Sequence, residues 1–194
     1  MISRARSFGG EALRYGKRGM QRTVVPIMSD DEQRLMAFEG LVQWTAASIE
    51  QGRRIAAQLA TLPSATADDR LAFAQTRTEH HYFAIAAHKV LEHRQWVTGL
   101  GLCATVDFSV LNQFEPGDVR DLRNMREHVV DYFKGVGRDK DRWSVETPEF
   151  RADASSCVGT IIGGRLDWQT FVEACEKLLP RLLSESIPYP PRKT

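Results

Sequence analysis

Between positions 30 and 62 the apolar residues Leu35, Phe38, Leu41, Val42, Ala46, Ile49, Ile55 and Leu59 recur at three- and four-residue steps. Such spacing places them on one face only if the segment is a long amphipathic helix. Pro63 ends it, since proline lacks the N–H a helix needs and clashes with the preceding turn. After a short, cap-rich stretch at 64–69, Leu71, Phe73, Tyr82, Ile85, Ala86, Val90, Leu91 and Trp96 predict a second long helix, stopped near Gly99 and Gly101. Two long helices on so short a connector must fold back as an antiparallel hairpin, which commits the chain to a helical bundle.

The remainder reads as smaller pieces laid on that hairpin. A short helix is expected at about 104–114, broken by Pro116-Gly117. Asp118 then caps the most strongly patterned helix, 118–134, whose stripe is Val119, Leu122, Met125, Val129, Tyr132 and Phe133 and whose left-handed stop is Gly135. Residues 136–153 are charged and irregular. Gly163-Gly164 suits a tight turn between apolar runs at 156–162 and 165–168, so a small β-hairpin is expected there. Asp167 or Trp168 opens a last helix through Phe171, Cys175, Leu178, Leu179 and Leu182. The fold class is therefore all-α: an antiparallel bundle of four to five helices with a small β-hairpin before the last. The domain is expected to span 28–185, and the Pro-rich tail 186–194 is expected to be extended.

Charge is unevenly placed. Residues 1–27 carry six basic residues against Glu11, a surplus of five that leaves the rest of this +1 chain at −4. An acidic body gives no support for broad nucleic-acid binding, so any phosphate contact needs a local basic site. The leader reads as a flexible tail or as residues upstream of a true start at Met28, with a basic RNA-touching arm as the alternative. Cys103, Cys157 and Cys175 form no CxxC pair and leave one unpaired, which suits a reducing compartment, and a cytoplasmic location is expected. No apolar run approaches the roughly 20 residues that cross a bilayer, so no membrane association is expected.

The chemistry-bearing residues gather on the 118–134 helix. Asn124 and His128, four apart, lie one turn apart on the same strip, close enough for the amide to reach the imidazole. Arg123 is about 140° round the axis from His128, yet its long arm can swing towards the same region. Phosphodiester transfer in RNA needs a group to take the 2′-hydroxyl proton, a group to protonate the leaving oxygen, and positive charge on the transition state. His128 suits either proton transfer, because an imidazole titrates near neutrality. Arg123 suits the third task, and Asn124 can fix the ring's orientation. The plainer reading pairs Arg123 with Glu127 on an exposed face and leaves His128 at a boundary.

Residues 118–137, reading DVRDLRNMREHVVDYFKGVG, resemble the signature helix of the HEPN superfamily (higher eukaryotes and prokaryotes nucleotide-binding domain). That family is marked by an arginine, a polar residue directly after it, and a histidine four to six positions on. Arg123, Asn124 and His128 fill these places, and the looser likeness of helix order extends over 30–183. The resemblance implies a metal-independent endoribonuclease, often a toxin or defence component, acting on RNA as a homodimer whose two motifs line one cleft. It assigns acid/base work to His128, phosphate stabilisation to Arg123 and positioning to Asn124. A dimer also makes chemical sense, because one motif supplies one histidine where the reaction uses an acid and a base. An antitoxin or a nucleotidyltransferase is the kind of partner protein implied. Some members are noncatalytic dimerisation or partner-binding modules, the alternative reading.

A rival constellation lies on the second helix, where His81, His88 and Glu92 form a strip of candidate metal ligands amid Glu79, His80 and His93. It is not HExxH, and no second Glu-x-x-His pair completes a carboxylate-bridged bundle site. The histidines therefore read as core-border residues, with no metal and no cofactor expected. Walker A, GxGxxG and GxSxG patterns are absent from the sequence, which argues against P-loop, Rossmann and hydrolase-triad chemistry. Trp44, Trp96, Trp143 and Trp168 are scattered without interleaved basic residues and read as core or interface anchors.

Overall fold

The computed structural model describes residues 28–61, 70–148 and 150–185. The leader, the connector with its Pro63 stop, and the C-terminal tail lie outside these. Among the described residues the fold is mainly α, with five α-helices and a small antiparallel hairpin before the last.

Helix α1 (Asp30–Thr61) starts on a capping box. The Ser29 N–H donates to Glu32 Oε2 at 2.8 Å, and the Glu32 N–H donates to Ser29 Oγ at 3.4 Å. Helix α2 (Arg70–Gly99) runs antiparallel to it. The pairing is fixed at two levels: near one end Arg34 donates to the Leu100 carbonyl at 3.0 Å, and further along Gln51 reaches Glu79. Midway, the His93 ring fills the space a Cβ on Gly40 would occupy, and its Nδ1 lies 3.2 Å from the Ala37 carbonyl.

Helix α5 (Trp168–Ser184) packs across α1, and Gly52 makes this approach possible because any side chain there would collide with Val172. Asp167 caps α5 by accepting from the Gln169 and Thr170 N–H groups at 3.1 and 3.2 Å. Phe171 is fully buried and meets Phe83 and Phe114 edge-on, with ring centroids 5.9 and 4.7 Å away. Each contact adds roughly 1 kcal/mol beyond the buried area.

Three segments differ from the sequence expectation. The short helix at 104–114 is a series of turns containing only the 3₁₀ turn Ser109–Leu111. The apolar residues there, Val106, Leu111 and Phe114, are nonetheless buried, so burial rather than helix geometry set their spacing. The stretch expected to be irregular contains an antiparallel pair, β1 (Ser144–Glu146) and β2 (Arg151–Asp153), in which Val145 faces Ala152. Three-residue strands show too little alternation to be read from sequence. The expected hairpin gains a strand: β3 (Cys157–Val158) pairs with β4 (Ile161–Ile162), which pairs with β5 (Leu166–Asp167). Gly163 and Gly164 form its turn at φ 59° and 70°, and a Cβ on Gly163 would also strike Leu122 of the neighbouring helix.

No helix among the described residues is long and apolar enough to cross a membrane.

Candidate active site

Helix α3 (Pro116–Glu127) begins three residues earlier than the expected Asp118 cap. Glu115 is the N-cap, accepting from the Gly117 N–H at 3.3 Å, and Pro116 takes the first turn, where its missing N–H costs nothing. Val119, Leu122 and Met125 bury the helix's inner face, as the pattern predicts.

The motif helix is not continuous. It breaks at His128 (φ −106°, ψ 27°) and resumes as a short α4 (Val129–Phe133). Arg126, held by carbonyls from outside the helix, pins the last turn of α3 just before the break. As a result, the expected stripe ends at Met125. Val129 and Tyr132 are only half-buried, and Phe133 is 69% exposed. Gly135 is a left-handed stop as expected, at φ 73°.

Asn124 and His128 line one open cleft of about 590 Å³. The His128 side chain is 66% exposed, with Nδ1 3.8 Å from Asp131 Oδ2. No hydrogen bond joins Asn124 to the imidazole. Instead the Asn124 side-chain oxygen accepts from Arg123 Nη1 at 2.8 Å. The amide thus positions the guanidinium rather than the ring, which corrects the sequence expectation. Arg123 itself does not line the cleft. It faces α2, where its charge acts on His81 and His88, and its Nε stands 3.1 Å from Glu127 Oε1, the pairing the plainer reading anticipates. The rest of the cleft is acidic, with Asp121, Asp131 and Asp139 against Arg138. Arg142 moderates this from outside by bridging Asp121 and Asp118, the latter at 2.9 Å.

The strip on α2 does not converge. Among the described residues no group of three or more His, Cys, Asp or Glu side chains could hold a metal ion. Glu92 pairs with Lys89 at 2.6 Å, and burial is the first cause that pulls the His81 and His88 imidazoles below their usual pKa.

Two polar residues turn out to be interior: Arg126, which the sequence reading passed over, and His80, which it placed at the core border. Arg126 is 8% exposed, donating from Nη1 to the Ala154 carbonyl at 2.8 Å and from Nη2 to the Arg77 carbonyl at 2.9 Å. Burial lowers its pKa to about 10. His80, 5% exposed with Nε2 unpartnered, is pushed down to about 4, first by burial and then by the charge of Arg126. A signal for Arg126 did exist: it follows Leu122 by four and Val119 by seven, so it falls on the apolar stripe.

Trp168 is buried under α5's first turn, and Trp143 stacks on Tyr132 at 4.8 Å, both acting as packing anchors. Comparisons of this chain with protein-family models, with curated proteins and with solved structures find no match, so it is the geometry of the α3–α4 corner that carries a functional reading.

Proposed function

We propose that this chain is a HEPN-like endoribonuclease, of the toxin or defence kind, that works as a homodimer with His128 of each protomer in a shared cleft. The observation that carries the reading is the exposed His128 imidazole at a helix break, in an open cleft with Asn124, whose amide oxygen holds the Arg123 guanidinium. One imidazole takes the proton of a ribose 2′-hydroxyl as that oxygen attacks the adjacent phosphorus. A 2′,3′-cyclic phosphate forms, the bond to the 5′-oxygen breaks, and the second imidazole, protonated, delivers its proton to that oxygen. Arg123, which rests against α2, leaves Glu127 and swings its long side chain towards the cleft as the phosphate enters, where it stabilises the added negative charge. A single protomer offers one histidine in an acid-rich cleft, which is why the reading requires two.

The test is cleavage of a structured RNA by the purified chain in EDTA, alongside His128→Ala. Cleavage that persists in EDTA and vanishes in the variant, with helicity unchanged, supports the assignment. Undiminished cleavage by the variant overturns it.

One observation favours a second reading, a noncatalytic partner-binding module. Val130, Phe133 and Val136 stand exposed around α4, and Arg123 is already neutralised by Glu127. A chain that never cuts RNA yet copurifies with an antitoxin or nucleotidyltransferase partner supports that reading.

A further inference from the structure

On the other side of the His128 break from the cleft lies a second pocket, of about 400 Å³, between α2 and α4. Its lining includes Arg77, His81, Tyr82, Arg126, Phe133 and Ser155. Among the described residues no carboxylate comes within ion-pair distance of Arg126 or Arg77. Arg126 is held only by neutral carbonyls, and its buried Nε–H has no acceptor. Arg77, whose own carbonyl accepts one of those bonds, reaches only Ser155 Oγ, at 3.4 Å. The acid that acts on Arg126, Asp153, is itself engaged by the Ser155 N–H and hydroxyl at 2.8 and 2.6 Å.

Two guanidinium groups placed side by side repel each other, and burying one of them costs several kcal/mol unless something compensates. An anion between them removes both penalties. Arg126 is preorganised for this, since its carbonyl bonds fix the plane of the fork while leaving N–H donors over. The His81 ring is held below its usual pKa by burial and then by Arg126, so at neutral pH it adds a neutral hydrogen-bonding edge. The pocket mouth is aromatic: Tyr82 is 54% exposed and Phe133 69%, the latter braced edge-on by Trp143 at 5.7 Å. Exposed ring faces beside an anion site match a base attached to its phosphate.

We infer that this pocket binds a nucleoside phosphate, its phosphate on Arg77 and Arg126 and its base against Tyr82 and Phe133. Free nucleotide and single-stranded RNA share this chemistry. The strand as the source rests on the ribonuclease reading, under which a strand lying across the His128 break would place one nucleotide here and the scissile phosphate in the cleft.

The experiment measures binding of the full chain to a fluorescein-labelled 2′-O-methyl uridine nonamer, which cannot be cut, with uridine monophosphate and inorganic phosphate as competitors. Arg77→Ala, Tyr82→Ala and Phe133→Ala, each checked for folding by circular dichroism, are expected to weaken binding roughly fivefold to hundredfold. Glu50→Gln, at an exposed position on α1 outside the pocket lining, is expected to stay within about twofold. Competition by uridine monophosphate at concentrations comparable to the nonamer marks free nucleotide as the source; competition only at far higher concentrations marks the strand. Absence of binding by the parent chain to any of the probes overturns the inference. So does unaltered affinity in all three folded variants, including the case in which Tyr82→Ala and Phe133→Ala change oligomeric mass instead. Intact binding by a chain that never cleaves RNA removes the ribonuclease reading and leaves the pocket standing.

Discussion

Arg123 and Arg126 sit three residues apart on α3, and their surroundings could hardly differ more. Arg126 lies on the inner edge among Leu122 and Met125, buried, its fork fixed on the carbonyls of Arg77 and Ala154. Arg123 lies on the flank, half-buried, hydrogen-bonded to Asn124 and close to Glu127. The inner arginine ties α2, α3 and the loop after β2 into one unit, whereas the outer one is held by neighbours on its own helix. A group held across three segments can be removed only at the expense of the fold. One held locally can exchange partners, as a transition-state stabiliser must.

The largest effect expected is at the outer edge. Under the proposed ribonuclease reading, His128→Ala should lower RNA cleavage by roughly 10²- to 10⁴-fold while leaving the thermal midpoint nearly unchanged, measured by gel assay and calorimetry. A matching loss of stability would place His128 with the inner group. Next comes the inner arginine: Arg126→Ala strands two carbonyls and should cost about 3 kcal/mol in urea unfolding. An unaltered urea midpoint would dissolve the contrast.

The buried His80 sharpens the inner side further. Its folded pKa, about 4, lies below the ordinary 6.5, so between these values the unfolded chain binds a proton that the folded one does not. Stability from this group is therefore complete above about pH 6.5 and is lost as pH falls towards 4, by at most roughly 3 kcal/mol. His80→Leu should flatten the acid limb of urea midpoints across that window. The smallest effect tests the outer pair: Glu127→Gln frees Arg123 and should raise cleavage roughly twofold to fivefold, in line with the worth of a partly exposed ion pair. A decrease would make Glu127 a participant rather than a restraint.

Sequence periodicity made α1, α2 and the front of α3 legible because each extends over several turns, and the Gly163-Gly164 turn was legible because its backbone demands that pair. The candidate site was legible in part. Asn124 and His128 share a cleft as their spacing predicts, while the expected bond between them is replaced by one from Arg123. That replacement turns on which way two side chains lean, and helical spacing does not specify it.

By itself, the sequence determined the helical hairpin, the buried stripe of Val119, Leu122 and Met125, and the polar flank beside it, since local periodicity alone decides these. Only the tertiary structure decided the break at His128, the strands β1 and β2, and the burial of Arg126 between α2 and Ala154. Each of these depends on segments up to 49 residues apart meeting in space. Whether an arginine on an apolar stripe finds carbonyls or water is settled by what packs against it, and no window of local sequence contains that partner.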